Sequence, residues 1–138
     1  MAQRSADDAS EHRVLQPAGW PQPRGLTHGV LASGRMIFVA GMLGADEHGQ
    51  LAEGFVAQAR QALENIVAVI AEAGASPRHI VRLTWYICDM DEYLAQRTAL
   101  GVAYREVMGR HFPAMAVVEI NRLVEPKARL EIEGTAVL

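Results

Sequence analysis

The sequence predicts an α+β domain of element order ββαβαββ, with two helices gathered on one face of a sheet. Three observations carry this. Short apolar runs of strand length alternate with two longer stretches of helical period. Glycine, proline or an acidic cap punctuates almost every change of period. The last strand alternates apolar and charged residues, which leaves a far face that two helices cannot cover.

Residues 1–24 are polar and then rich in Pro17, Gly19, Pro21 and Pro23, with neither strand nor helix period. They read as an extended or flexible N-terminal arm, trimmable up to about Trp20, ahead of a domain at 25–138. Leu26 to Ala32 and Met36 to Ala40 are strand-like runs split by Ser33-Gly34, which predicts a hairpin. From Phe55 to Ala73, the residues Ala59, Leu63, Ile66 and Ile70 form a helical stripe, with Gly74 as the stop and Pro77 beyond it. Next comes a strand, His79 to Ile87, with Val81, Leu83, Trp85 and Ile87 on one face and Arg82, Thr84, Tyr86 and Cys88 on the other.

Asp89 with Glu92 three residues on starts a second helix that runs to about Met108 and is ended by Gly109. Met115 to Ile120 and Ala128 to Val137 close the sheet around the turn Leu123 to Pro126. Leu130 and Ile132 should face the helices, leaving Arg129, Glu131 and Glu133 on the far side. Met115, Val117 and Glu119 are placed on that far side as well. A face so mixed suits a wet subunit interface.

Composition narrows the function classes. The 138 residues fit one domain, half of them are apolar, and 13 Lys+Arg stand against 16 Asp+Glu for a net charge of −3. Nucleic-acid binding needs a basic face, so it is not expected. Cys88 is alone, which leaves no intrachain disulfide and no thiolate metal cage. No run approaches the ~20 apolar residues of a membrane span. The charged first residues leave no room for an apolar leader core, so a cytoplasmic protein is expected.

Several segments together resemble the RidA (YjgF) family, known also by the name L-PSP endoribonuclease. They are Arg35 to Gly41, Glu53-Gly54 with Ala57 to Ile66, Ala73 to Ser76 leading into His79 to Thr84 and Asp89, Phe112-Pro113-Ala114, Val118-Glu119, and Leu130 to Glu133. Their order and spacing over more than 100 residues carry the resemblance. It implies a chorismate-mutase-like fold and a homotrimer whose mixed sheets form a central barrel, with small-molecule clefts between subunits. It also implies hydrolysis of enamines and imines to carbonyl compounds and ammonia, with no metal or organic cofactor.

The same comparison shows departures. Deaminating members carry arginine directly after the Pro-Ala pair, where it grips the substrate carboxylate in a bidentate fork. Here that residue is Met115, which offers neither charge nor N–H. Leu26 stands where the family has an aromatic residue, and Gly101 where a polar residue precedes the tyrosine at Tyr104.

Glu131 matches the family's site glutamate and is the candidate catalytic group, since water adding to C=N must lose a proton and departing ammonia must gain one. The other reading is a barrel-lining carboxylate paired with Arg129 or a neighbouring chain. Met115, Tyr86, Tyr93, His28 and Glu119 are candidate substrate-binding residues. Against these stand plain interface packing for Met115, core or rim packing for the tyrosines, and a backbone-binding carboxylate for Glu119. Arg122 reads as structural. His28, His48, His79 and His111 lack zinc-ligand spacing. Cys88, with no paired histidine motif, makes a poor nucleophile.

Three functions compete on these residues. One is imine or enamine deamination, with substrate choice altered by the loss of the arginine. Another is non-catalytic binding of a small molecule in trimer clefts. The third, an endoribonuclease, is disfavoured by the acidic balance.

Overall fold

The computed structural model describes residues 12–138, so the earlier part of the expected arm lies outside the described residues. In chain order the elements are β1 (Arg13–Leu15), β2 (Gly29–Leu31), β3 (Met36–Leu43), α1 (Phe55–Ala71), a single 3-10 turn (Pro77–His79), β4 (Ile80–Ile87), α2 (Met90–Ala95), α3 (Arg97–Met108), β5 (Ala114–Glu119) and β6 (Leu130–Val137). The main sheet runs β3-β6-β4-β5. β6 is antiparallel to both β3 and β4, whereas β4 and β5 are parallel. A parallel pair cannot be joined by a tight turn, and here α2 and α3 make the crossover. The outcome is an α+β fold with helices on a mixed sheet.

α1 follows its apolar stripe. Ala59, Leu63, Ile66 and Ile70 are fully buried, joined by Phe55 and Ala62. It stops as its sequence demands. Gly74 takes a φ of 78°, Gly74 N–H donates to Ala71 O at 2.9 Å, and Ala75 N–H donates to Ile70 O at 3.1 Å. This pair of bonds is the Schellman closure that a left-handed glycine permits. Leu130 and Ile132 of β6 and Leu83, Trp85 and Ile87 of β4 complete the core under the helices. Deleting side chains as buried as Leu63 or Ile66 costs about 2–5 kcal/mol each.

Four expectations are corrected. The hairpin across Ser33-Gly34 does not form. β2 pairs instead with β1, Leu15 opposite Gly29 and Arg13 opposite Leu31, so part of the arm is a paired strand. The turn serves another end of the chain: Arg35 and Leu138 exchange both backbone hydrogen bonds at 2.8 Å. The second helix is capped as expected, Asp89 accepting from Glu92 N–H at 3.1 Å, but breaks at Gln96 (φ −113°, ψ 17°) into α2 and α3. An irregularity between Ile80 and Arg82 puts Ile80, not Val81, in the core.

The fourth correction matters most for function. Met115, Val117 and Glu119 are not on the far face. β5 lies in register with β4 so that Leu83 is opposite Met115, Trp85 opposite Val117 and Ile87 opposite Glu119. Directly opposed residues share a face, and this one is the helix side. Among the described residues no helix is long and apolar enough to cross a membrane.

Candidate functional site

The sheet divides the expected site residues between its two faces. On the face away from the helices, Tyr86 stands opposite Glu131 and Thr84 opposite Glu133 across the β4–β6 pairing. Glu131 is half-buried because of its other neighbour. The β3–β6 register shifts between Val39 and Met42, and Gly41 sits within that irregularity. A Cβ added at Gly41 would come within 2.5 Å of Glu131 Cδ and 2.9 Å of its Cγ. The carboxylate therefore lies in the space a side chain would take. It has no hydrogen-bond or ion-pair partner among the described residues, because Arg129, the expected candidate, pairs with Glu92 of α2 at 2.8 Å.

Glu133 is engaged instead: the Tyr86 hydroxyl donates to its Oε1 at 2.7 Å. That bond raises the Tyr86 pKa above the ordinary tyrosine value, and the desolvation and charge of the neighbouring carboxylates push the same way. Tyr86 thus stays a hydroxyl donor at neutral pH. Around this pair the far face is uncovered among the described residues. Phe38 is 74% exposed, and Met36 and Val118 are also exposed.

Met115 and Tyr93 come together on the helix side, in a groove of about 440 Å³ between β4–β5 and α2–α3. Trp85, Val117 and Phe112 line its floor with them. Tyr93 is held by an edge-on contact with Phe55, ring centroids 6.3 Å apart. The rim is cationic. Arg24, Arg97 and Arg105 all line the groove, and none of the three has an ion-pair partner among the described residues. Sequence reasoning missed all three, as well as Trp85. The signal was present: Tyr93, Arg97, Gly101 and Arg105 recur every four residues, the spacing of one helical face.

Other candidates fall outside both places. His28 makes an edge contact with Trp20 at 5.2 Å and reaches Pro21 O at 3.4 Å, so it fastens the arm. Glu119 Oε2 accepts from Met90 N–H at 3.0 Å, where a carboxylate meets the first turn of α2. His79 is buried and accepts from Ser76 N–H at 2.9 Å. His111 donates to Ile80 O at 2.7 Å. Burial pushes the Cys88 thiol up, away from the thiolate that nucleophilic attack needs. No group of three or more potential metal ligands occurs among the described residues.

Comparison with known proteins agrees with this architecture. The family model described as Endoribonuclease L-PSP matches residues 22–138. A RutC family protein of Pyrococcus abyssi is 34% identical over 119 residues, covering 84% of this chain and 89% of that one. The 2-iminobutanoate/2-iminopropanoate deaminase of Salmonella typhimurium is 35% identical over 109 residues, covering 75% of this chain and 80% of that one. Among solved structures, the Rid-family protein YyfB of Yersinia pestis superimposes with a TM-score of 0.81 at 30% identity, over 92% of this chain and 98% of that one.

Proposed function

The chain belongs to the Endoribonuclease L-PSP family, and on that premise we propose that it hydrolyses the C=N bond of a reactive imine or enamine, releasing a carbonyl compound and ammonia. The observation that carries this reading is the half-buried Glu131 carboxylate, lodged against Gly41 without a partner among the described residues. Such a carboxylate is available to accept a proton. Water adds to the imine carbon while Glu131 takes its proton. Glu131 passes that proton to the imine nitrogen. As the carbinolamine collapses, its hydroxyl proton is relayed to nitrogen in the same way and the C–N bond breaks. Ammonia leaves with both protons of the water, while its oxygen stays as the carbonyl. Every atom of water and imine is accounted for, and no cofactor is required.

Substrate choice follows from Met115, which stands where deaminating members carry the arginine that grips a small 2-imino acid. Loss of that fork alters substrate choice, away from a small 2-imino acid held by that residue. The two-faced placement bears on assembly. In one chain Met115 and Glu131 lie on opposite sides of the sheet, so a site using both draws them from two subunits. A homotrimer with clefts between neighbours meets that need, and it would cover the exposed Phe38 and Val118.

The test uses imines generated in solution by an amino-acid oxidase, with disappearance of the imine and release of ammonia followed together. The wild-type protein should accelerate hydrolysis above the spontaneous rate. Glu131→Gln should lose about 10²- to 10⁴-fold, the range of a general base, while remaining folded. No acceleration across small, branched and aromatic imines would instead favour the non-catalytic ligand-binding reading. A fully active Glu131→Gln would remove Glu131 from the mechanism.

A further inference from the structure

We propose that the groove beside Met115 binds an anion through helix α3: Arg97 and Arg105 hold the charged group, and Trp85, Tyr93 and Met115 pack the apolar body of the same molecule. This deepens the hydrolase reading by naming a ligand class, but its test needs no turnover.

Charge is the first observation. In a chain of net charge −3, Arg24, Arg97 and Arg105 converge on one groove. Arg60 and Arg129 have found Glu106 and Glu92, whereas these three have no acidic partner among the described residues. Like charges brought together repel, and an anion between them reverses the sign of that interaction.

The second observation is construction. Arg97, Gly101 and Arg105 lie at four-residue spacing on one side of α3. The position a Cβ would occupy at Gly101 is only 3.3 Å from Arg105 Nη1. The missing side chain thus leaves room for the guanidinium to lie across the helix beside the groove.

The third observation is an unmet donor. Trp85 is 2% exposed and forms part of the groove wall, yet its indole Nε1 has no hydrogen-bond partner among the described residues. Buried indole N–H groups ordinarily find an acceptor; this one has essentially no exposed surface of its own, so an occupant of the groove would reach it only if the Trp85 ring shifts. Its size, about 440 Å³, falls within the range of small-molecule sites. Met115 gives it an adaptable apolar wall. Together the arginines and the apolar lining define the ligand as a carboxylate, or similar anion, on an apolar body.

The probes are 3-phenylpropanoate and its uncharged amide, with binding read by calorimetry and by the indole N–H resonances of ¹⁵N-labelled protein. The acid should bind at least about tenfold more tightly than the amide, as a charge-assisted contact implies. Arg97→Gln and Arg105→Gln should each bring the acid down toward the amide while leaving amide binding intact, which also reports that the groove is still folded. The Trp85 resonance should move and that of Trp20 should not. Equal affinity for acid and amide, arginine variants that bind like wild type, or no binding of either probe at millimolar concentration would each overturn the proposal. Anion binding without imine hydrolysis would sink the hydrolase reading alone.

Discussion

Replacing Gly41 by alanine separates a glycine kept for a neighbouring functional group from one kept for packing. An added Cβ would lie 2.5 Å from Glu131 Cδ, and ordinary contact begins at 3.4 Å. The carboxylate must therefore retreat by about 1 Å, and misplacement on that scale can cost a reaction about 10²-fold. It can retreat, because the obstructing atoms end a flexible side chain. Nor does Gly41 occupy the left-handed region that alanine disfavours. Its stability cost should stay below about 1 kcal/mol.

Gly44→Ala makes the contrast. Its Cβ would collide with the Cα and carbonyl oxygen of Gln58 and lie 2.5 Å from that residue's Cβ. This is the backbone of α1, which cannot move without disturbing the core, so about 1–3 kcal/mol or more should be lost. Urea denaturation and the imine assay on both variants test the reasoning. Gly41→Ala should keep its unfolding midpoint and lose turnover, whereas Gly44→Ala should lose its midpoint. If Gly41→Ala is as unstable as Gly44→Ala, or is stable and fully active, the carboxylate is not held in place for chemistry.

Further expectations follow from the same geometry. Met115→Arg should raise turnover of 2-iminopropanoate by about 10- to 150-fold, the worth of a bidentate charge-assisted contact, less what repulsion from Arg97 and Arg105 removes; an unchanged rate would mean that the cleft has diverged elsewhere too. Sedimentation should give a trimer at micromolar concentration, each pair of subunits burying on the order of 1,200–2,000 Å²; a monomer would leave Met115 and Glu131 in separate places. His79 should make stability pH-dependent. Burial is the main force holding its imidazole below the usual pKa, helped by the neighbouring Arg78 charge. The unfolded chain therefore takes up a proton near pH 6.5 that the folded one refuses. The contribution is complete above about pH 6.5 and is lost as the pH falls. His79→Gln should flatten that decline in urea midpoints between pH 7.5 and 5.5; a wild-type slope in the variant would refute it.

Local chemistry was legible and register was not. The stripe of α1, the Asp89 cap and the facing of Leu130 and Ile132 against Glu131 could be read because each depends on neighbours a few residues away. The β2 hairpin failed because its strand found its partner fourteen or more residues upstream, at β1. Met115 was put on the wrong side for a related reason. A strand's own alternation fixes which residues go together, but only its pairing with β4 decides which set meets the helices. The arginines of α3 escaped notice because charges on a helix surface ordinarily face solvent. Only the crossover over β4 and β5 turns them toward a groove.

The strand order β3-β6-β4-β5 has a consequence for synthesis on the ribosome. β6 is the last of the four strands to emerge and occupies an inner position, antiparallel to β3 on one side and β4 on the other. Until it arrives, β3 has no partner in that sheet, and β4 and β5 form a separate pair with an open edge. The nascent chain therefore cannot add strands outward from a finished nucleus, as it could in a fold whose neighbours in sequence are neighbours in space. Translation stalled before residue 130 leaves β3 a lone strand and β4–β5 an isolated pair, each offering an unpaired edge to other chains.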